Sequence, residues 1–548
     1  MEFSSLSIVT IIIMHTKQVL TIVCFFATSL LAGMVYAQPI IQPVEQVSPD
    51  NLPDAEEVSV VIDPLDISHI AASSNPGYFF YSTDRGQSWF GDGLGSSFGE
   101  AGDPSLTTDS KGNIYYAHLA YPASTYWLDR VVIQESTDAG KSYSDGTFTG
   151  HIPPRQQDKE TIVCDKSESS PYFDNLYISW TEFDSYKSPF PLLDSSRILF
   201  SRSTDKGQSW SIPIVVSDKQ GDCADSSYTV EGATCATAPN GDIYITWSGP
   251  NGLIFDKSTD GGISFGKDKV ISPLIPGWDF PVAGLSRCNG LATTLCDIGN
   301  SKNRGNLYVF FSDKRNGDKN TDVFLLRSQD GGNTWDLPLR VNNDTTQFEQ
   351  FLPAATIDPV TGVIYCAFYD RRNTNGSLLT DMYLARSIDG GSSFTNYRLT
   401  QNSFASNAGV FFGDYIGIAA QNANVYPIWM QVTKQTTALY LARVIDTGAF
   451  QDAVLQPANP KDQRLSLQIS PNPASQRLNF ALICNPEMYC SLILTDMMGR
   501  EVATIYEGRP DNSMLNLSYN ARLLTSGIYY CLARNGSEHV MQKFIISH

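Results

Sequence analysis

The chain has 548 residues, with 38 Lys and Arg against 57 Asp and Glu, a formal net charge of −19 at pH 7. That balance excludes a nucleic-acid partner, because phosphates demand clustered positive charge. With 17% charged and 11% aromatic residues, the composition is that of a folded, β-rich protein rather than a disordered one.

The first element in chain order is a leader. A polar start from Met14 to Lys17 precedes an apolar run over 19–34 and the small-residue exit Val35-Tyr36-Ala37. This order predicts a signal peptide over 1–37, with Met14 as an alternative start. The run is too short, and ends too near the cleavage-like site, for a permanent membrane anchor, so no transmembrane anchor is expected after processing. One of the 10 cysteines, Cys24, leaves with it. Cys223 and Cys235, Cys288 and Cys296, and Cys484 and Cys490 are close enough in sequence to pair after export. No Cys/His cluster has zinc spacing, which leaves the cysteines buried or disulfide-bonded.

Residues 38–455 are written in repeats. STDRGQSWF at Ser82 returns as STDAGKSYS at Ser136, STDKGQSWS at Ser203, STDGGISFG at Ser258, SQDGGNTWD at Ser328 and SIDGGSSFT at Ser387. Each copy follows a β-rich run such as RILFSRST or DVFLLRSQ. Further upstream lie a turn such as Ala238-Pro239-Asn240-Gly241 and a second strand such as NLYISWTEF. The unit is four strands, with the repeat at the hairpin between the third and fourth. Asp84, Asp138, Asp205, Asp260, Asp330 and Asp389 recur at roughly 54–70 residues, the scale of a propeller blade. A seventh, decayed unit ends at Asp446 and Gly448, and its outer strand is expected from residues 40–47. The count is seven blades, or six if the last unit is a partial sheet. The Asp accepts backbone N–H bonds in the turn, Gly supplies positive φ, and the aromatic packs back on the blade. The repeat is thus architectural rather than catalytic.

The pattern S-x-D-x-G-x-[ST]-[WF] resembles the Asp-box, or bacterial neuraminidase repeat, of sialidase-like β-propellers. That resemblance implies an all-β fold with a central funnel. It leaves function open between glycosidases, including exo-α-sialidases, and non-catalytic adhesion or protein-binding propellers.

Residues 456–462 read as a linker, and 463–548 as a small β-sandwich of about 85 residues. Ser470-Pro471-Asn472-Pro473, the D-x-x-G-R of Asp496 to Arg500, the L-x-x-G-x-Y of Leu524 to Tyr529, and Lys543-Phe544 occur in order. They resemble the type A C-terminal sorting domain of type IX secretion. The resemblance implies passage through the outer membrane by the type IX machinery, then release or attachment at the cell surface.

In up-and-down blades the innermost strands begin in the funnel, on the face that also carries the loops between second and third strands. The first group contributes Asp103, Asp158, Glu160, Glu231, Arg287, Glu349, Asp414 and Tyr415, with Trp278 nearby. The second contributes Glu182, Asp313, Arg315, Asp370, Arg371 and Arg372. Carboxylates serve as acid and base, Arg holds anionic groups, and aromatics stack on pyranose faces, so extracellular carbohydrate is the expected partner. Glu231, Asp414 and Tyr415 are the catalytic candidates. Asp103, Asp158, Arg287, Arg315, Glu349, Asp370 and Arg371 are the substrate-binding candidates. A Ca²⁺ ion held by these oxygens is the one cofactor the pattern admits. Sialidases carry an Arg-Ile-Pro segment near the first blade; none occurs here, and residues 51–57 contain no Arg.

Overall fold

The computed structural model describes residues 38–123, 126–190, 193–433, 436–449, 465–486, 488–497, 500–510, 514–536 and 538–548. The leader and the linker lie outside these. Up to residue 449 the described residues form seven antiparallel sheets. Their first strands are Ser59–Ile62, Gly102–Thr108, Gln156–Cys164, Glu231–Thr237, Thr293–Cys296, Gln350–Ile357 and Gly417–Gln421. Each packs on the next, and the last returns to the first, so the seven close a ring.

Side-chain hydroxyls stitch neighbouring first strands together. Leu106 donates its N–H to Ser59 Oγ at 3.0 Å and Ile162 to Ser105 Oγ at 3.1 Å, while Thr161 Oγ1 donates to Ala233 O at 2.8 Å. The second strands, such as Leu176–Phe183 and Ile243–Gly249, are buried along their whole length. Each sheet is covered on both faces by its neighbours, which is why these strands read as unbroken apolar and aromatic runs. A buried ring such as Trp180 or Trp247 contributes roughly 1.5–3 kcal/mol or more by leaving water.

The seventh sheet draws on both ends of this region. Its strands Gly417–Gln421, Asn424–Thr433 and Thr436–Leu441 are followed by the N-terminal strand Glu45–Gln46 in the outer position, and Ile40–Ile41 pairs with Val444–Ile445. Arg443 holds Glu45 at 2.6 Å.

The repeated turns are built as the residue types require. In the first copy Ser82 Oγ donates to Asp84 Oδ1 at 2.8 Å, and the N–H groups of Gln87 and Ser88 donate to the same oxygen at 2.9 Å. Gly86, at φ +76°, donates its N–H to Ser82 Oγ at 2.8 Å. The aromatic packs beyond its own sheet as well: Tyr143 meets Tyr116 of its own sheet at 5.5 Å, and the aromatics also reach the preceding one. Phe265 lies against Phe200 of the preceding sheet at 4.9 Å, Trp335 against Phe255 at 5.2 Å, and Tyr143 against Phe79 at 5.4 Å. Each turn therefore clamps two sheets together. Asp446 of the decayed seventh copy serves the same end differently: it is fully buried and accepts from Tyr365 at 2.7 Å and Arg386 at 2.5 Å, both on the sixth sheet.

All nine described cysteines are free thiols, eight of them buried, so the three expected pairings are not formed. Residues 465–548 form two further sheets. One comprises Ser466–Ser470, Arg477–Ile483 and Met514–Asn520; the other comprises Glu501–Gly508, Cys490–Asp496, Gly527–Asn535 and Glu538–Ile546. Leu478, Phe480 and Leu482 of the first meet Leu492, Leu494 and Phe544 of the second in one apolar core. No helix among the described residues is long and apolar enough to cross a membrane.

Candidate functional site

Where first strands begin, the ladder is bulged. Register breaks fall between Gly102 and Ser105, Asp158 and Thr161, Glu231 and Thr234, and Phe351 and Ala354. Within four of these breaks, or just ahead of the first sheet, lie Glu57 at φ +53°, Asp103 at +54°, Lys159 at +51°, Gly232 at +69° and Leu352 at +48°. A left-handed non-glycine residue costs about 1–2 kcal/mol. A bulge re-aims the side chains beside it, and here it gathers charged groups from different sheets.

The gathering point is Lys159. Its ammonium lies 2.6 Å from Asp414, 3.3 Å from Asp103 and 3.5 Å from Glu57, and its side chain is 9% exposed. Arg287 takes Asp414 from the other side, with Nε 2.8 Å from Oδ1 and Nη2 on Oδ2, and reaches Asp225 at 3.3 Å. Asp225 in turn accepts from Tyr186 at 2.9 Å and lies 3.6 Å from Lys187. Asn75 donates to Glu57 and accepts from the Asp103 N–H at 2.6 Å.

The charges sort accordingly. Burial alone would lower the pKa of Lys159, but Asp103, Asp414, Glu57 and Asp158 outweigh it and hold the ammonium charged. Against the pull of burial, Lys159 keeps Asp103 low, and Lys159 with Arg287 keeps Asp414 low, so both stay ionised. Burial, with the neighbouring carboxylates, pushes Glu57, Asp158, Glu160 and Glu231 well above the usual range. Both oxygens of Glu160 and Oε2 of Glu231 have no hydrogen-bond partner. Tyr415 donates to Pro104 O at 3.4 Å, and burial holds its phenol protonated.

Of the residues expected from sequence, Asp103, Asp158, Glu160, Glu231, Arg287, Asp414 and Tyr415 interact in this cluster. The others are engaged elsewhere. Arg315 pairs with Asp313 at 2.7 Å and lies over Phe324, and Arg372 pairs with Asp370 at 2.7 Å over Tyr383. Arg371 pairs with Glu349 at 2.8 Å over Phe351. Glu182 is taken by Arg155 and Arg197, and Trp278 is buried with its N–H on Thr229 O at 3.0 Å. Arg287, Arg315 and Arg371 are thus each held by a different carboxylate. Among the described residues no group of three or more His, Cys, Asp or Glu is spaced to hold a metal; the position between Asp103, Asp414 and Glu57 is filled by the Lys159 ammonium.

Above Arg287 opens a cavity of about 470 Å³, lined by Trp127, Tyr186, Lys187, Arg287, Phe411 and the small residues Ser286, Ala408 and Gly409. Trp127 and Tyr186 meet edge to face at 5.5 Å, and the Arg287 guanidinium lies over the Phe411 ring at 5.1 Å. Only Arg287 of these was singled out in the sequence. Trp127 and Tyr186 lie on loops between second and third strands, the right class of position, but no repeated pattern marks them.

Residues 468–547 match the family model described as the secretion system C-terminal sorting domain. The protein is therefore delivered to the cell surface or the extracellular space. A search of curated proteins finds no match to the chain. Among solved structures, a protein of unknown function from Dyadobacter fermentans is similar at 14% identity, with 64% of this chain and 96% of that one covered and a TM-score of 0.43. The NanB sialidase of Streptococcus pneumoniae is similar at 10% identity, covering 63% and 68%, with a TM-score of 0.39. An ulvan lyase is similar at 11% identity, covering 73% and 95%, with a TM-score of 0.41.

Proposed function

We propose that the protein is a seven-bladed Asp-box propeller of the sialidase-like kind, followed by a type IX sorting sandwich, and that it binds extracellular glycans in the pocket above Arg287. One observation carries this reading: Trp127, 41% exposed, and Phe411, 38% exposed, share a concave site with the cationic Arg287 and Lys187. A pyranose ring has an apolar C–H face and polar edges. Aromatic walls with a few fixed polar groups match both, and such a combination is the usual make-up of a ligand pocket. Screening the full mature chain on a glycan array tests the reading: wild type retains a defined glycan class and Trp127→Ala does not. Equal retention by both would overturn it.

A hydrolytic reading rests on a second observation. Burial pushes Glu231 up while Lys159 and Arg287 hold Asp414 down, and a pair of carboxyl groups pushed apart in pKa is the condition for acid and base roles. Glu231 would then be the acid, Asp414 the stabilising carboxylate and Tyr415 a nucleophile or stacking partner, with Asp103 and Asp158 in supporting contact. Binding is the better supported of the two, because Asp414 is already saturated by Lys159 and Arg287. Exo-sialidase activity has less support still: it needs several Arg on one spot, and Arg287, Arg315 and Arg371 are each held by a different carboxylate.

A further inference from the structure

Three loops that contribute to the pocket or to its charged floor share a pattern. Each places one residue in or against the pocket and leaves one large aromatic ring in solvent outside it. The loop closed by the Leu128 N–H on Ala120 O at 3.0 Å holds Trp127 in the pocket and also carries Tyr121, 56% exposed. The loop after Phe183 holds Tyr186 in the pocket and Phe190, 60% exposed. The turn over 222–229 is closed by the Asp222 N–H on Tyr228 O at 3.1 Å and by Thr229 Oγ1 on Asp222 at 2.8 Å. It turns Asp225 toward Tyr186 and Arg287 and leaves Tyr228 69% exposed.

Wet aromatic surface is unfavourable by about 25 cal/mol per Å², so three such rings around one pocket call for an occupant. Tyr121, Phe190 and Tyr228 make no ring contact with one another. Tyr228 is flanked by Ser227 and Thr229, in a turn otherwise rich in Asp and Ser. Protein interfaces bury a contiguous apolar core, whereas a sugar chain offers apolar ring faces at intervals with hydroxyls between.

We propose that the pocket is one subsite of a track crossing these loops, and that its ligand is a polysaccharide chain several units long rather than a single terminal sugar. This rests on the glycan reading above and specifies its ligand class.

The test uses the full mature chain. An array of neutral and acidic polysaccharides identifies the polymers bound, and oligomers cut from those polymers, from disaccharide upward, are titrated by calorimetry. Affinity is expected to rise at least roughly tenfold from disaccharide to hexamer, about 1.4 kcal/mol. Tyr228→Ala and Tyr121→Ala, both on exposed loops and checked for an unchanged melting temperature, should each lose several-fold in hexamer affinity and leave disaccharide affinity unchanged. Trp127→Ala should weaken both. Affinity independent of length, with Trp127→Ala still damaging, would overturn the track and leave the pocket standing. An array on which no polymer binds would overturn both.

Discussion

Lys159 and Asp414 are joined at 2.6 Å, so the first strand of the third sheet is tied to the segment that leads into the seventh. The same ammonium reaches Asp103 of the second sheet and Glu57 ahead of the first. One ammonium thus gathers carboxyl groups from segments of the first, second and seventh sheets, with Arg287 sharing Asp414. Removing one partner of a buried charge pair commonly costs about 3–5 kcal/mol, because the remaining charge is stranded. Lys159→Met is accordingly expected to destabilise residues 38–455 by about that amount, measured by denaturant unfolding. Asp414→Asn should cost less, since Asp103 still faces the ammonium and Asp225 still faces Arg287. Equal stability of Lys159→Met and wild type would show that the cluster is not held by this cation.

The repeated turns act between sheets, so the aromatic should matter more than the Asp. Asp205 accepts from Ser203 at 2.7 Å and from the Ser209 N–H at 2.9 Å, and Asp205→Ala should cost about 1 kcal/mol, as loss of a capping Asp does. Phe265→Ala, which empties the contact with Phe200, should cost about 2–4 kcal/mol. Glycan binding per folded molecule should survive both. A reversed order of the two losses would return the turns to a purely local role.

Two acidic groups give a pH signature. Burial pushes Glu100 up to about 7, and burial outweighs the Thr437 hydrogen bond to put Glu56 at about 8. A folded-state pKa above the unfolded one stabilises fully below the unfolded value, near 4.3, and that contribution is lost as pH rises through the folded one. The melting temperature should therefore fall between about pH 5 and 8.5, and should fall less in Glu56→Gln/Glu100→Gln. Opposite in sign are the turn carboxylates. Hydrogen bonds from Thr334 hold Asp330 at about 2, so its contribution is present above the unfolded value and is lost only as pH drops toward 2. Parallel pH profiles for wild type and the double Gln variant would contradict the assignment.

The tail has its own apolar core, so deleting residues 463–548 should leave residues 38–455 folded with an unchanged melting transition. In a host with the matching secretion system the truncated chain should remain in the periplasm. Its appearance at the cell surface would show that residues 468–547 do not act as the address.

Much of the architecture was legible because it repeats: the spacing of Asp84 to Asp389 sets the unit, and the Gly and Ser around each Asp set the turn. The reach of the aromatic to the preceding sheet was not legible, since one strand pattern does not reveal which neighbour covers it. The cluster was half legible. Beginnings of first strands could be located, which found Asp103, Asp158, Glu231 and Asp414. Glu57 stands at the matching place before the first sheet and follows from the same rule. Lys159 sits between two acidic residues in DKET and was hidden by them; only its left-handed backbone turns it inward. The segments 311–316 and 368–373 share the pattern F-x-D-x-R-N and form local pairs, Asp313 with Arg315 and Asp370 with Arg372, because the short spacing lets each Arg fold back on its own loop.

The most direct measurement is a calorimetric titration of the full mature chain and of Trp127→Ala and Phe411→Ala with the best ligand from a glycan array. Both rings are partly exposed, so the variants should melt with wild type while affinity falls at least roughly tenfold in each, about 1.4 kcal/mol. Wild-type affinity in both variants at unchanged stability would contradict the claim that this pocket is the glycan site.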